Sequence, residues 1–236
     1  MQKNKNTRTI IRCRSCGSKK LAPVLSLGNL YVSNFIKSDK SKKMNRQPLD
    51  LVICDLNSGG CGLLQLKQTY SPEIFYRNYW YRSGVNQSMA DALLDVVRKT
   101  EEIIKNKSGD HIIDIGSNEG TLFRFYKNPN LELVGFEPAR NLIPYARKNC
   151  SSAVYINDFF NFKVWQKKYG NKKAKVITAI AMFYDLDDPN KFMADIVKCL
   201  DDKGIFVIQM SYLPSMLQQN AFDNICSEHL EYYSLA

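Results

Sequence analysis

The chain has 236 residues, enough for one large domain or for a medium and a small one, and its 44% hydrophobic and 24% charged content is ordinary for a globular fold. It contains no run of about 18 apolar residues, which excludes a helical membrane span and predicts a protein without a membrane partner. The net charge of +10 sits at one end: residues 1–46 carry 12 Lys/Arg and one acid, the rest 21 Lys/Arg and 22 acids. A solvated basic module, or one attracting an anionic ligand such as a nucleotide diphosphate, fits that distribution. Dedicated nucleic-acid binding does not, because no basic–aromatic motif accompanies the charge. The polar start, MQKNKNTRTIIRC, has no apolar signal-peptide core, so a cytoplasmic protein is expected. Seven cysteines, an odd number, favour metal ligation plus free thiols over a disulfide framework.

In chain order, residues 1–70 form the first predicted module. Cys13 and Cys16 have tight knuckle spacing, and Gly17 helps backbone N–H groups point at the sulfurs. Cys54 and Cys61 form a looser pair around Asp55-Leu-Asn-Ser-Gly-Gly60. Four thiolates around Zn²⁺ make a closed tetrahedral site without an open position, which implies a structural metal. A segment this small hardly forms a core unaided. Alternation in Leu49–Cys54 and Leu63–Leu66 suits short hairpins. Residues 71–107 form a connector. Ser71-Pro-Glu starts a helix, and Phe75, Tyr76, Tyr79, Trp80 and Tyr81 follow as an aromatic cluster, for packing between domains or as a lid. Met89, Leu93, Val96, Val97 and Ile103–Ile104 then have helical spacing.

Residues 108–236 alternate strand and helix. Strands are predicted at His111–Ile115, Leu131–Phe136, Ala153–Ile156, Val176–Ala181 and Gly204–Met210. Helical stretches are predicted at Leu122–Tyr126, before Asn149, and at Pro189–Leu200. That order predicts an α/β fold with a mostly parallel, Rossmann-like sheet.

The first strand runs into Asp114-Ile-Gly116-Ser117-Asn-Glu-Gly120. A dinucleotide fingerprint needs a second glycine where this chain has Asn118, so that backbone can approach a pyrophosphate. A cofactor without a pyrophosphate fits better, and S-adenosylmethionine is one. Gly116 lets the methionine part lie close to the turn, and Asp114 offers an acceptor for the ammonium group. Glu137, closing the second strand, is placed to accept the ribose hydroxyls. Asp158, after the third, is placed for the adenine amino group, or alternatively as a helix N-cap before Phe159.

CRSCG, LSLG, CGLLQL, YWYRSG, DIGSNEGTL, VGFEPA, NDFF and FDNICSEHLEYYS together run through nearly the whole chain. In these motifs the chain resembles the zinc-containing, S-adenosylmethionine-dependent nucleotide-sugar C-methyltransferases of deoxysugar biosynthesis. The resemblance implies an N-terminal zinc module, a class I methyltransferase fold and a further C-terminal domain. It also implies a base that takes the proton beside the keto group of a nucleotide-linked sugar, and an enolate that accepts the methyl group. His229 matches the base, Glu228 a carboxylate that orients or assists it, and Tyr81 a substrate-facing tyrosine. The other histidine, His111, is expected to be structural. Two positions depart from the family: Cys226 stands where a tyrosine is usual, and Asp185 where a histidine follows the fourth strand. O-methylation of another activated anionic metabolite, and a scaffold that has lost its chemistry, therefore stay open. A class I sheet normally has seven strands and five are predicted, so a C-terminally incomplete domain is expected, with Gly204–Met210 as an apolar edge.

Overall fold

The computed structural model describes residues 7–32 and 46–235. These fall into two compact units. One takes the described part of 1–75 together with 181–190 and 210–235, and the other takes Tyr76–Ile180 and Lys191–Gln209. Residues 181–190 and 210–235, which the linear reading places in a 108–236 domain, thus pack with the cysteine-bearing segment. No helix among the described residues is long and apolar enough to cross a membrane.

The first unit begins with β1 (Thr7–Thr9), β2 (Leu21–Tyr31), β3 (Arg46–Cys54), β4 (Leu64–Leu66), β5 (Gln68–Tyr70) and α1 (Pro72–Tyr76). β1 pairs antiparallel with β5. β2, β3 and β4 form an antiparallel meander in which Leu21 faces Cys54 and Ile53 faces Leu64. The alternation at 49–54 buries Leu49 and Leu51 against Leu66, as period-2 patterning requires. Between Cys54 and Cys61 the chain makes a 3₁₀ turn, Leu56–Ser58, capped by Asp55, whose carboxylate accepts from Asn57 N at 3.0 Å. Gly60 then passes so close that a Cβ would lie 2.7 Å from the Cys54 sulfur.

The second unit holds α2 (Gln87–Ile103), β6 (His111–Ile115), β7 (Glu132–Phe136), α3 (Ile143–Asn149), β8 (Val154–Ile156), α4 (Phe162–Tyr169), β9 (Ala174–Ile180), α5 (Pro189–Cys199) and β10 (Leu200–Gln209), with the first residues of α5 in the other unit. Its sheet is all parallel in the order β10-β9-β6-β7-β8. The chain runs outward from β6 to β8 and returns beside β6 with β9. The switch point therefore lies between β6 and β9, where open α/β sheets bind ligands at the carboxyl ends of their strands. All five predicted strands are present, and β10 lies at a sheet edge with Ile208 partly exposed.

α2 starts on an N-cap, Asn86, whose side chain accepts from Ser88 N. It buries Leu93 and Val97 against Ile112, Leu122 and Val176, while Ile103 is exposed. His111 is buried edge-on against the Trp165 and Tyr169 rings, and burial lowers its pKa, as suits a structural histidine. One helix expectation is corrected and one helix is added. Leu122–Tyr126 is a 3₁₀ turn, Leu122–Phe125, because Pro129 soon follows and biases Asn128 to extended backbone. α4 was not anticipated. Its marks are Asn161, which caps Val164 N at 3.0 Å, and Gly170 at its end.

α6 (Leu213–Gln219) and β11 (Glu231–Tyr232) return to the first unit. β11 adds to β4, pairing Tyr232 with Leu64 and Glu231 with Gln65. Leu230 and Tyr232 thereby join Leu49, Leu51 and Leu66 in one apolar cluster.

Candidate active site and metal centre

The four predicted cysteines converge. The sulfurs of Cys13, Cys16, Cys54 and Cys61 lie within 4.8 Å of one another, with Cys13···Cys61 at 3.6 Å and Cys16···Cys54 at 3.5 Å. Tetrahedral Zn–S bonds of the usual length set sulfurs about 3.8 Å apart. Backbone N–H groups of Ser18 and Leu63 turn to Cys16 and Cys61, and Cys61 N donates to Cys54 Sγ at 3.3 Å. Gln65 Nε2 donates to Cys13 Sγ at 3.2 Å. All seven cysteines are free thiols, so no disulfide competes for these sulfurs.

In the second unit, the turn after β6 has left-handed backbone at alternate positions: Gly116, Asn118 and Gly120. Gly116 N and Ser117 N both donate to Phe136 O, which ties the turn to the end of β7. Gly120 has no room for a side chain, since a Cβ would meet Tyr155 Oη at 2.2 Å. Asp114 is buried on central β6 and accepts from Thr178 Oγ1 of β9 at 2.6 Å. Burial pushes its carboxyl up to about 7, against that bond. Glu137 is also buried, and its two oxygens accept from Asn118 N and Ala139 N, each at 2.7 Å. Desolvation outweighs both bonds and lifts its pKa to about 7. The Ser117 hydroxyl is buried with no hydrogen-bond partner among the described residues. Asp158 is about half exposed, accepts from Phe159 N at 2.9 Å and pairs with Arg77 at 3.2 Å. The α4 N-cap is Asn161, so Asp158 does not serve as that cap.

The aromatic segment is knit to this turn. Asn118 Nδ2 donates to Tyr81 O at 3.1 Å, Ser83 N donates to Asn118 Oδ1 at 3.2 Å, and Gly84 N donates to Glu119 Oε1 at 2.7 Å. Tyr79 and Asn141 exchange two hydrogen bonds. Tyr76, Tyr79, Trp80 and Tyr81 pack in sequence, each ring centroid about 6 Å from the next. Asn118 and Glu119 are thus central to the turn, though the sequence pattern points to neither. The available signal was that asparagine tolerates left-handed backbone and carries both a donor and an acceptor. Nothing in the sequence pointed to Thr178 as the partner of Asp114.

Glu228 and His229 lie in the first unit, just before β11. Leu230 N donates to Tyr184 O at 2.9 Å, and Leu66 N donates to Leu230 O at 2.9 Å, which pins the segment to β4 and to the 181–190 loop. His229 Nδ1 meets the Asn224 carbonyl at 2.8 Å, and its ring packs on Tyr184 with centroids 4.4 Å apart. Since a carbonyl only accepts, Nδ1 carries the proton in the neutral ring and Nε2 the lone pair. Burial raises the Glu228 carboxyl, with His229 opposing. Burial raises the Tyr232 hydroxyl, with smaller contributions from Cys226 and from Asp185 on the 3₁₀ turn Phe183–Asp185.

Residues 81–236 match a family described as "Methyltransferase domain". The chain belongs to that methyltransferase family. Residues 13–76 match a "Putative zinc binding domain", the segment that carries the four-cysteine cluster. The chain is similar to a protein of Streptomyces niveus named C-methyltransferase NovU, 27% identical over 233 residues, covering 97% of this chain and 54% of that protein. It thus spans about half the length of this curated relative. Among solved structures, it is similar to a chain of the complex between the Haloferax volcanii Trm112 methyltransferase activator and a methyltransferase. That match has a TM-score of 0.50 and 16% identity, covering 64% of this chain and 67% of the other. The plantazolicin methyltransferase BpumL, solved with SAH, matches at TM-score 0.46 and 17% identity over 58% of this chain and 52% of its own. The first of these structural likenesses bears on the fold alone.

The cofactor of the methyltransferase domain is S-adenosylmethionine, and the cysteine cluster is a zinc site. Both fit the residues present. The sulfurs stand at tetrahedral spacing without an open position. At the glycine turn, Asp114 and Glu137 are buried carboxylates that enter no ion pair among the described residues, and the Ser117 hydroxyl is unpartnered. Such a set suits a ligand that brings positive charge and hydroxyl groups.

Proposed function

We propose that this chain is the zinc-bearing and cofactor-binding part of an S-adenosylmethionine-dependent C-methyltransferase acting on a nucleotide-linked keto sugar. The observation that carries the reading is the His229 ring, whose Nδ1–H is held by the Asn224 carbonyl so that Nε2 is left as a base. S-adenosylmethionine, when bound, supplies an electrophilic methyl group. Asp114 receives its ammonium group, Glu137 the ribose hydroxyls and Asp158 the adenine amino group. Gly116, Ser117 and Gly120 form the backbone cradle. His229 Nε2 takes the proton from the carbon beside the keto group, leaving an enolate whose carbon is the nucleophile. Glu228 steadies the imidazolium that forms, and Tyr81 faces the sugar.

The basic N-terminal segment supports a substrate bearing phosphates. The name of the Streptomyces niveus relative supports carbon as the methylated atom. A second reading, O-methylation of another anionic metabolite, draws on Asp185, an aspartate where the resemblance implies a histidine. A methyl-transfer screen over nucleotide-linked keto sugars and their hydroxyl counterparts, run beside His229→Ala, separates the two. Turnover of a keto sugar that His229→Ala abolishes supports C-methylation. Turnover only of hydroxyl acceptors overturns it. Failure to bind S-adenosylmethionine would leave a scaffold.

A further inference from the structure

Among the described residues, one group besides the four-cysteine cluster gathers metal-binding side chains. The Cys226 sulfur, a Glu228 carboxylate oxygen and a His229 imidazole nitrogen lie within 4.8 Å of one another. Two further features are those of a built site. First, the backbone N–H groups of His229 and Glu228 turn back on the Cys226 sulfur. The zinc cluster uses the same device, Ser18 N–H on Cys16 and Leu63 N–H on Cys61. Burial raises the Cys226 thiol, and the N–H groups aimed at its sulfur act against burial, towards the ligating thiolate. Second, the Asn224 carbonyl fixes the Nδ1–H of His229 at 2.8 Å. Metal-bound histidines characteristically donate their other ring N–H to a carbonyl or carboxylate, which sets the tautomer and aims the ligating nitrogen. All three side chains are partly exposed, so an ion can reach them from solvent.

We propose that Cys226, Glu228 and His229 form a second Zn²⁺ site, separate from the four-cysteine cluster, with three protein ligands and an open fourth position. Thiolate, imidazole and carboxylate together select Zn²⁺ over Mg²⁺ or Ca²⁺, which take oxygen ligands. Three ligands with an exchangeable position is the arrangement of reactive zinc, whereas four thiolates close a structural one. Binding is redox-neutral: the Cys226 thiol gives its proton to solvent and the metal takes the place of that proton. The ion also takes the Nε2 lone pair that the proposed base role requires. Zinc at this site therefore opposes methyl transfer by His229. The site itself rests on the three side chains and not on the identity of the acceptor.

Titration with Co²⁺ of protein already carrying one zinc per chain tests this. The wild type should take up a second metal equivalent with a thiolate-to-cobalt absorption band. In Cys226→Ser that band should vanish, and the second equivalent should bind at least about tenfold more weakly, with Glu228→Gln weakened likewise. Total metal of one per chain in the wild type overturns the proposal, as does a second equivalent that Cys226→Ser leaves unchanged. Retained zinc and an unchanged far-ultraviolet spectrum confirm that the serine variant folds. If it does not fold, alkylation of Cys226 in the wild type decides, followed by mass spectrometry: protection by Co²⁺ supports the site, and equal labelling with and without Co²⁺ overturns it.

Discussion

The backbone N–H of Asn118 donates to Glu137 Oε2 at 2.7 Å, which joins the turn after β6 to the carboxylate closing β7. The Asn118 side chain simultaneously accepts from Ser83 N and Glu119 N and donates to Tyr81 O. Asn118→Ala removes those bonds and leaves a Cβ residue at positive φ. It should cost about 2–3 kcal/mol and weaken cofactor binding. Asn118→Gly relieves the backbone but still lacks the amide, so it should fall between. Denaturant unfolding of both variants checks this; an alanine variant as stable as the parent would show that the amide bonds contribute nothing.

Asp114 and Glu137 should make cofactor binding depend on pH. Both are raised to about 7 by burial. A carboxyl raised above its unfolded value contributes stability that is present below the unfolded pKa and lost as pH rises through the folded one. The cofactor-free protein should therefore lose stability from about pH 4 to about pH 7. A cationic ligand favours the ionised carboxylates, so binding of S-adenosylmethionine should release protons and tighten over the same range. Calorimetry in buffers of different ionisation enthalpy reads the released protons. Affinity that is flat with pH would contradict the assignment.

Gly120→Ala places a Cβ 2.2 Å from Tyr155 Oη at positive φ. Cofactor binding should be lost. Removing the hydroxyl in Tyr155→Phe leaves the nearest ring carbon 3.0 Å away, so the double variant should recover part of the affinity, short of the parent by about 1–2 kcal/mol of backbone strain. No recovery would mean that the strain, not the clash, dominates.

Zinc removal should unfold the first unit, whose small cluster of Cys13, Cys54 and Leu63 contains two of the four cysteines of the site. Cys54→Ser, at a fully buried position, should lose stoichiometric zinc and several kcal/mol of stability. Metal analysis beside thermal unfolding tests this. Full stability without zinc would argue that the thiols are only core packing.

His229→Gln keeps a hydrogen-bonding side chain near Asn224 but has no titratable nitrogen. Methyl transfer should fall by about 10²–10⁴-fold if Nε2 is the base. The zinc of the four-cysteine cluster and the far-ultraviolet spectrum should stay as in the parent. A rate within a few-fold of the parent would move the base elsewhere.

The parts with local causes were legible from the residues alone. Cysteine spacing marked the ligands, because thiolates two residues apart share one metal. Apolar runs bounded by turns marked all five parallel strands. The Gly116 and Gly120 positions marked the turn after β6, because left-handed backbone favours glycine. Tertiary structure alone decided what depends on residues distant in the chain. Asp114 is raised because the packed sheet buries it, against the hydrogen bond from Thr178, 64 residues on. Asn118 ties its turn to two distant segments at once, and Gly120 is obligatory because Tyr155 lies over it. Residues 181–190 and 210–235 join the cysteine-bearing unit because Leu230 and Tyr232 bury themselves against Leu49, Leu51 and Leu66. Periodicity shows that such residues will be buried, but which surface buries them is settled only when the strands pair.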